Sequence, residues 1–364
     1  MWPVVPSTDP TGAARAESPA RDRSIDVAKG LAIIAIVVGH VWRGLNSSGV
    51  LAGLPLNVVE EVDTALYAVH LPVFAYLAGL FVRRSVDKYG AWDYLRQRAA
   101  DFVWLYLLWT VLQGLVRLWT TTATNHPLTP ESFVESFWTK DSQLWFLPFL
   151  LVVTVLSVLT RPWRSVSFGA LTTGLTILVA VALWGLDIPW IGLAGIQLLP
   201  FFWLGCMMGA GRLIGLWSRV RWWALALTGG VLFTLILSVT DPATSTWTAY
   251  PRTPASVAAG VAAATVGTIS ALALSKGLAR VSPLVTLGQR SLDIFLAHIL
   301  ATAGCRILLL QLGVEIWGVH LILGVAAGLT FPLVLRAVAQ RAGASWLFSA
   351  PSLLSRANTA SGSH

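Results

Sequence analysis

The sequence predicts an all-α polytopic membrane protein, a bundle of about ten transmembrane helices. Of its 364 residues, 55% are hydrophobic and only 12% are charged. Hydrophobic stretches of about 18 to 22 residues recur along the chain, and each is long enough to cross a bilayer. A transmembrane β-barrel is disfavoured because these runs are continuous, whereas barrel strands alternate lipid-facing and lumen-facing residues.

Each predicted helix corresponds to one apolar run of the sequence, and helix ends drawn in this way are accurate only to a few residues. In chain order, the runs cover residues 27–45, 64–83, 100–119, 143–160, 167–185, 191–211, 222–240, 254–275, 284–308 and 316–337.

The distribution of basic residues predicts the orientation, because Lys and Arg accumulate in short cytoplasmic loops. With the amino terminus inside, the outer segments hold only a few of the 25 Lys and Arg residues, namely Arg43, Arg117, Lys140, Arg252 and Arg306. Both termini are therefore predicted to be cytoplasmic. The net charge of +8 follows from this bias, so we expect a lipid bilayer as the surroundings and no nucleic-acid partner.

Composition divides the chain into three regions. Residues 1–22, rich in Pro, Ala, Ser and Thr, are predicted to form a disordered cytoplasmic leader. Residues 23–339 form the predicted transmembrane domain, and residues 340–364 a flexible cytoplasmic tail. We expect a multi-pass protein of the plasma membrane.

Three ionisable residues mark the first predicted helix, with Asp26 and Lys29 at its start and His40 near its end. An ionisable group in hydrocarbon is costly, so each indicates a functional site. At about 100° per residue the three side chains fall within one stripe roughly 60° wide, with His40 about 16 Å beyond Lys29, so they are expected to face one cavity. The alternatives are a simple ion pair for Asp26 and Lys29, and a histidine hydrogen-bonded within a helix interface for His40.

Other candidates are predicted at the outer depth of His40. His70 and His298 are candidates for binding an acceptor molecule, with helix packing as the alternative. Trp145 is a third candidate, although tryptophan is commonly an anchor at the membrane interface.

Arginines are concentrated in the inner connection between the second and third helices. Guanidinium groups suit phosphate recognition by paired hydrogen bonds, so these side chains are candidates for binding a phosphate-bearing donor. The alternative is that any inner loop attracts arginine. The residues concerned are Arg83, Arg84, Arg96 and Arg98.

Short motifs follow one another along nearly the whole chain. They are Asp26-x-x-Lys29-Gly30, Gly39-His40, His70-Leu-Pro-Val-Phe, Ala78-Gly-Leu-Phe, Leu144-Trp-Phe-Leu147, Leu199-Pro-Phe-Phe-Trp-Leu-Gly205 and Leu287-Gly-Gln-Arg-Ser-Leu-Asp-Ile-Phe-Leu-Ala-His298. In this order the chain resembles the integral-membrane acyltransferase-3 family, and within it the fucose 4-O-acetylase-like branch. The resemblance implies transfer of an acyl group, usually acetyl, from cytoplasmic acyl-CoA to a hydroxyl of a carbohydrate or other cell-envelope acceptor.

The chemistry of acyl transfer gives His40 a role. A base must take the proton of the acceptor hydroxyl, and imidazole suits that task near neutral pH. His40 is predicted to be this general base or, alternatively, a nucleophile that first accepts the acyl group. The sequence carries no zinc signature, so no metal is expected.

A membrane transporter of a small organic acid or glycolipid is the alternative class. Transporters also carry intramembrane charges, but many are built from repeated halves with broken helices around a midplane site. No such repeat is visible in the sequence, so the enzyme is the favoured prediction.

Overall fold

The structure is a computed structural model that describes residues 22–120 and 128–351. Within these residues it contains thirteen α-helices and no strand, and ten helical segments are long and apolar enough to cross a membrane. The helices are α1 (Arg23–Ser47), α2 (Leu56–Gly79), α3 (Val82–Tyr89), α4 (Ala91–Trp119), α5 (Pro130–Glu135), α6 (Phe146–Thr160), α7 (Val166–Leu183), α8 (Leu199–Trp217), α9 (Trp222–Val239), α10 (Pro254–Gly277), α11 (Ser282–Gln289), α12 (Ser291–Gln311) and α13 (Trp317–Arg341).

The predicted all-α bundle is confirmed, and each of the ten predicted spans corresponds to one spanning segment. Two helices begin earlier than predicted, α2 at Leu56 and α4 at Ala91, because their first turns are too polar for hydropathy to detect. The ninth predicted span is divided at Arg290 into the short α11 and the spanning α12. The short helices α3, α5 and α11 were not predicted as separate elements.

Ten crossings place the start of α1 and the end of α13 at the same end of the bundle, which we call the terminal end. The opposite end, where α1 finishes, is called the cavity end. At the terminal end, the Asp22 side chain caps α1 by accepting from the Ser24 backbone N–H at 2.7 Å. The Asp22 carboxylate also lies 3.6 Å from Lys276 at the end of α10, so the start of α1 is tied to a neighbouring helix.

Helix α1 is the centre of the bundle. It packs against α2, α10, α11, α12 and α13. Two thirds of its most apolar stretch is buried, 67%, against 6% for α9, which lies at the periphery with its apolar surface exposed. A bilayer accounts for that exposed surface, since lipid tails are as apolar as the side chains of α9.

Glycines let α1 and α2 approach their neighbours at backbone distance. A Cβ on Gly288 of α11 would lie 1.7 Å from the carbonyl oxygen of Asp26, and a Cβ on Gly30 would lie 2.2 Å from that of Leu284. The contact of α2 with α8 is built in the same way from Gly79 and Gly205. Small residues at such contacts are typical of membrane helix packing.

We expect Gly288→Ala to destabilise the protein by roughly 1–3 kcal/mol or more, because the added methyl group requires α1 and α11 to separate. Thermal unfolding in detergent, followed by tryptophan fluorescence, measures the change. Gly304→Ala in α12 is the matched control, since a Cβ there meets no atom within 4 Å. An equal effect of both substitutions would contradict the importance of this contact.

The segment after α13 packs against α4. The indole N–H groups of Trp104 and Trp109 donate to the carbonyls of Trp346 and Leu347, each at 2.8 Å, and Phe348 is buried. Within the region predicted as a flexible tail from residue 340, the segment 346–348 thus contacts the bundle. Residues 1–21 and 352–364, which hold most of the predicted leader and tail, lie outside the described residues.

Candidate functional site

A polar cavity of about 500 Å³ opens at the cavity end of the bundle. Its walls come from α1, α2, α4, α12 and the loops that join the helices at this end. A cavity of this size is in the range of small-molecule binding sites. It holds three of the residues predicted from the sequence, namely His40, His70 and Trp145.

His40 lies on the cavity wall at the centre of an aromatic cluster. Its ring centroid is 5.1 Å from that of His298 and 6.4 Å from that of Tyr67, and Tyr67 lies 4.5 Å from His70. The His40 side chain is half-buried, and its ring makes no hydrogen bond with any residue in the ranges 22–120 and 128–351. Neither ring nitrogen is therefore held by a hydrogen bond from the described part of the chain.

The other two histidines are held in one tautomer by backbone carbonyls. Nδ1 of His70 donates to the Leu66 carbonyl at 2.7 Å. Nδ1 of His298 donates to the carbonyls of Ile294 and Phe295 at 3.0 and 2.9 Å. Since a carbonyl only accepts, Nδ1 carries the hydrogen, and Nε2 of each neutral ring is an acceptor.

His298 differs from its predicted position. It is 0% exposed and lies behind His40, so it does not line the cavity as expected of an acceptor-binding residue. Its Nε2 is buried without a hydrogen-bond partner among the described residues. A buried acceptor without a donor is costly, so this atom is a candidate partner for an N–H or O–H group brought close to it.

An ion pair missed by the sequence analysis holds the cavity wall beside His40. Nε and Nη2 of Arg43 donate to the two Asp63 carboxylate oxygens at 2.6 and 2.8 Å. The same guanidinium lies 3.3 Å from the Tyr67 ring centroid. This paired geometry fixes the Arg43 side chain and, through it, the ring that contacts His40.

Two glutamines were also missed. Gln113 donates from Nε2 to the Leu296 carbonyl at 2.9 Å, and Gln143 donates to the Gln113 Oε1 at 3.3 Å. Both line the cavity and are almost fully buried. A buried amide inside a predicted apolar span is a signal that could have identified Gln113.

Trp145 lines the cavity where α6 begins. Its ring packs 5.6 Å from Phe146 and 6.2 Å from Phe149. Gly195 leaves room for it, since a Cβ there would lie 2.5 Å from the indole. The indole is therefore held within the protein while it faces the cavity.

Asp26 and Lys29 do not share the cavity with His40. The α1 residues on the cavity wall begin at Ile36. Asp26 is buried and accepts a hydrogen bond from Gln289 of α11 at 3.2 Å, and the Lys29 ammonium lies 5.1 Å from the Phe81 ring. The expectation of one common cavity is wrong because α11 and Phe81 pack over this part of the stripe.

The four candidate donor-binding arginines lie at the terminal end, on α3 and the first turns of α4. Arg83 pairs with Asp87 at 3.7 Å, and Arg84 and Arg96 are exposed. Arg98 lies 5.5 Å from the Tyr94 ring. The structure thus keeps these cations together but at the opposite end from the cavity.

Among residues 22–120 and 128–351, no three potential metal ligands lie close enough together to hold a metal ion. The polar side chains on the cavity wall carry imidazole, guanidinium, ammonium, carboxylate, amide, hydroxyl and phenol groups.

Ten apolar spans around a histidine-lined cavity define a multi-pass membrane protein with a polar site at one end of its bundle. The chain belongs to the acyltransferase-3 family, whose model, described as an acyltransferase domain, matches residues 22–337. The match begins at the cap of α1 and reaches the last turns of α13, so it includes the whole site. The family supports a membrane acyltransferase. No curated protein and no solved structure matches the chain.

Proposed function

We propose that the protein is a membrane O-acyltransferase that moves an acyl group, most simply acetyl, from acyl-CoA to a hydroxyl of a carbohydrate or other cell-envelope acceptor. The observation that carries the proposal is His40, a histidine with no hydrogen-bond partner among the described side chains, on the wall of a polar cavity in a family of acyltransferases. Similarity of motifs to the fucose 4-O-acetylase-like branch favours a sugar hydroxyl.

In the proposed reaction His40 acts on the acceptor hydroxyl. One ring nitrogen takes the hydroxyl proton while the oxygen attacks the thioester carbonyl, so that a C–O bond forms and the C–S bond breaks. The proton then passes to the departing thiolate, and free CoA leaves. In the alternative route the His40 nitrogen attacks the thioester, the C–S bond breaks, and CoA leaves as the thiol with the ring proton. The acceptor oxygen then takes the acyl group from the imidazole, and the hydroxyl proton returns to the ring.

The residues around His40 supply positioning. Tyr67 contacts His40 and is itself held under the Arg43 guanidinium, so the imidazole is supported on the side of α2. His70 and Trp145 face the cavity and are the proposed contacts to the acceptor. His298 lies outside the cavity and is proposed to act through His40.

The donor is proposed to bind through its phosphates to the arginine cluster at the terminal end, with Asp26 and Lys29 holding the inner end of its path. The distribution of basic residues predicts that this end is cytoplasmic. Ile33 and Val37, which lie on α1 between Lys29 and His40, are 0% exposed. The pantetheine arm therefore needs a path along another face of α1, or a state in which these side chains have moved.

The sidedness is testable in sealed membrane vesicles. Transfer should require acyl-CoA on the face that carries residues 83–98 and the acceptor on the other face. A requirement for both substrates on one face would overturn this arrangement.

Turnover by the purified protein in neutral detergent tests the proposed function. With acetyl-CoA and a mixture of sugar acceptors, we expect release of free CoA and formation of an O-acetyl ester, detected by mass spectrometry. The transporter alternative predicts neither product, because a transporter moves its cargo unchanged. Absence of both products across neutral and acidic sugars, with a folded protein, would contradict the enzyme.

A further inference from the structure

Basic side chains are rare in the segments predicted to lie outside, and most of those present line the cavity. Only five Lys and Arg residues fall in the segments predicted to lie outside, and four of them line the cavity: Arg43, Arg117, Lys140 and Arg306. Since basic residues are depleted on the outer side, their concentration at one site calls for a local reason. The fifth, Arg252, instead donates to the carbonyls of Trp184 and Ala182.

Three of the four cavity cations are neutralised by carboxylates. Arg43 pairs with Asp63 at 2.6 Å. The two others form close contacts with acidic side chains, Arg117 with Asp141 and Lys140 with Asp187.

Arg306 is different. It has no carboxylate partner among residues 22–120 and 128–351, and its Nε is buried without a hydrogen bond. A partly buried guanidinium without a counter-ion is costly, because its Nε donor has lost water without gaining a hydrogen bond from the described residues. The side chain nevertheless lines the cavity, where a ligand can reach it.

The residues next to Arg306 indicate how far along the bundle it lies from His40. Its Nη1 lies against Gly44 of α1, where any side chain would collide with it. Gly44 is one helical turn beyond His40, a rise of about 6 Å along the axis. On α12, which runs parallel to α1, Arg306 is about 12 Å beyond His298. The guanidinium therefore lies at least about one helical turn beyond the imidazole, on the wall of the same cavity.

We propose that the acceptor carries a negatively charged group, a carboxylate or a phosphate, that binds Arg306 while its hydroxyl lies at His40. This inference rests on the proposed acyl transfer, and it narrows the acceptor class to acidic or phosphorylated saccharides. Both kinds of anion present two oxygens in the geometry that a guanidinium matches with paired hydrogen bonds.

Matched acceptors test the proposal with the purified protein and acetyl-CoA. Methyl glucuronoside and glucose 6-phosphate supply the two anions, and methyl glucoside is the neutral equivalent. We expect kcat/KM for at least one anionic sugar to exceed that for methyl glucoside by about ten- to a hundredfold, the range of one charge-assisted interaction. Equal use of neutral and anionic sugars by the wild-type protein would overturn the proposal.

Substitutions of single arginines show which side chain causes the preference for anionic sugars. Arg306→Gln should reduce the ratio of anionic to neutral kcat/KM by at least about tenfold, and Arg306→Lys should retain part of it, since a point charge remains without the paired geometry. Arg219→Gln removes an exposed arginine at the terminal end and should leave the ratio unchanged. A ratio that survives Arg306→Gln would place the selectivity elsewhere and refute the assignment.

Binding measurements separate this proposal from the proposed function. Equilibrium dialysis with labelled methyl glucuronoside or glucose 6-phosphate is carried out on the wild-type protein, His40→Ala and Arg306→Gln. Binding lost only in Arg306→Gln, without any transfer, would support the anion site and refute the acyl transfer. Acyl transfer to neutral and anionic sugars at equal rates would support the proposed function and refute the anion site at Arg306. Binding of labelled phosphatidylglycerol that is lost in Arg306→Gln, without binding of either sugar, would assign Arg306 to a lipid headgroup and overturn the acceptor assignment.

Discussion

Replacing His40 with alanine is expected to lower the rate of acyl transfer by about a hundred- to ten-thousandfold, the usual contribution of a positioned general base. The structure makes this substitution mild for the fold. His40 is half-buried on a cavity wall, and its ring makes no hydrogen bond with the described residues, so its removal breaks no hydrogen bond seen in the structure. The rate of ester formation and the thermal stability of the same preparation are the two measurements.

Two controls separate chemistry from packing at His40. His40→Gln restores most of the side-chain volume and hydrogen-bonding capacity but not the base, so it should be nearly as inactive as His40→Ala. Added imidazole should restore part of the activity of His40→Ala, because the site opens to a cavity large enough to admit it. A His40→Ala protein that keeps more than half of its activity would remove His40 from the mechanism.

The two chemical routes through His40 differ in what accumulates without acceptor. In the nucleophilic route the protein takes up one acyl group from labelled acetyl-CoA, and the label is absent from His40→Ala. In the general-base route no label is retained.

The number and type of the membrane helices could be predicted from the sequence because each span is one continuous apolar run. Hydropathy does not detect the start of a helix whose first residues are polar. The first turns of α2 and α4, which begin at Leu56 and Ala91, continue a spanning helix into a polar region. Their sequences therefore lack the apolar run that marks a span. The break at Arg290 has a similar origin, since α11 packs on α1 through Gly288, a contact that no local pattern reveals.

The site was predicted in part. An ionisable residue inside an apolar run is conspicuous, which is why His40 and His70 were found. Helical periodicity alone predicted that Asp26 and Lys29 share a face of the helix with His40. It does not show which neighbouring helix packs over each part of that face. The same limit hid the pairing of Arg43 with Asp63, which depends on how α1 packs against α2.

Several motif residues now have a structural reason separate from chemistry. Gly30, Gly205 and Gly288 each lie where a neighbouring backbone leaves no space for a Cβ. These glycines stand in the motifs on which the resemblance rests, as the histidines do. Resemblance of motifs therefore identifies the family without distinguishing the packing residues from the reacting ones, which only the three-dimensional contacts separate.

Replacing His298 with alanine is expected to lower kcat by about ten- to a hundredfold, the cost of one well-placed hydrogen bond in a buried site. The His298 ring lies 5.1 Å from His40, its Nδ1 is held by two carbonyls, and its Nε2 is a buried acceptor without a donor in the part of the chain that the structure describes. An N–H of His40 turned towards Nε2 would satisfy that acceptor and leave the other His40 nitrogen free to take a proton. His298 is in this role a positioning residue, since it does not touch the cavity.

A double-mutant cycle distinguishes this role from a structural one. If His298 acts only through His40, the protein carrying both His40→Ala and His298→Ala should be no slower than His40→Ala alone. Losses that multiply would instead indicate an independent effect on the fold or on the acceptor. Gln197→Ala is the matched control, because Gln197 is equally buried and its Nε2 donates to two carbonyls, those of Leu183 and Leu186, at 3.1 and 2.9 Å, while the side chain neither lines the cavity nor contacts His40. Like His298→Ala, the control should lower the thermal stability. Its effect on the rate, however, should be the same fold-change in the wild-type protein and in His40→Ala.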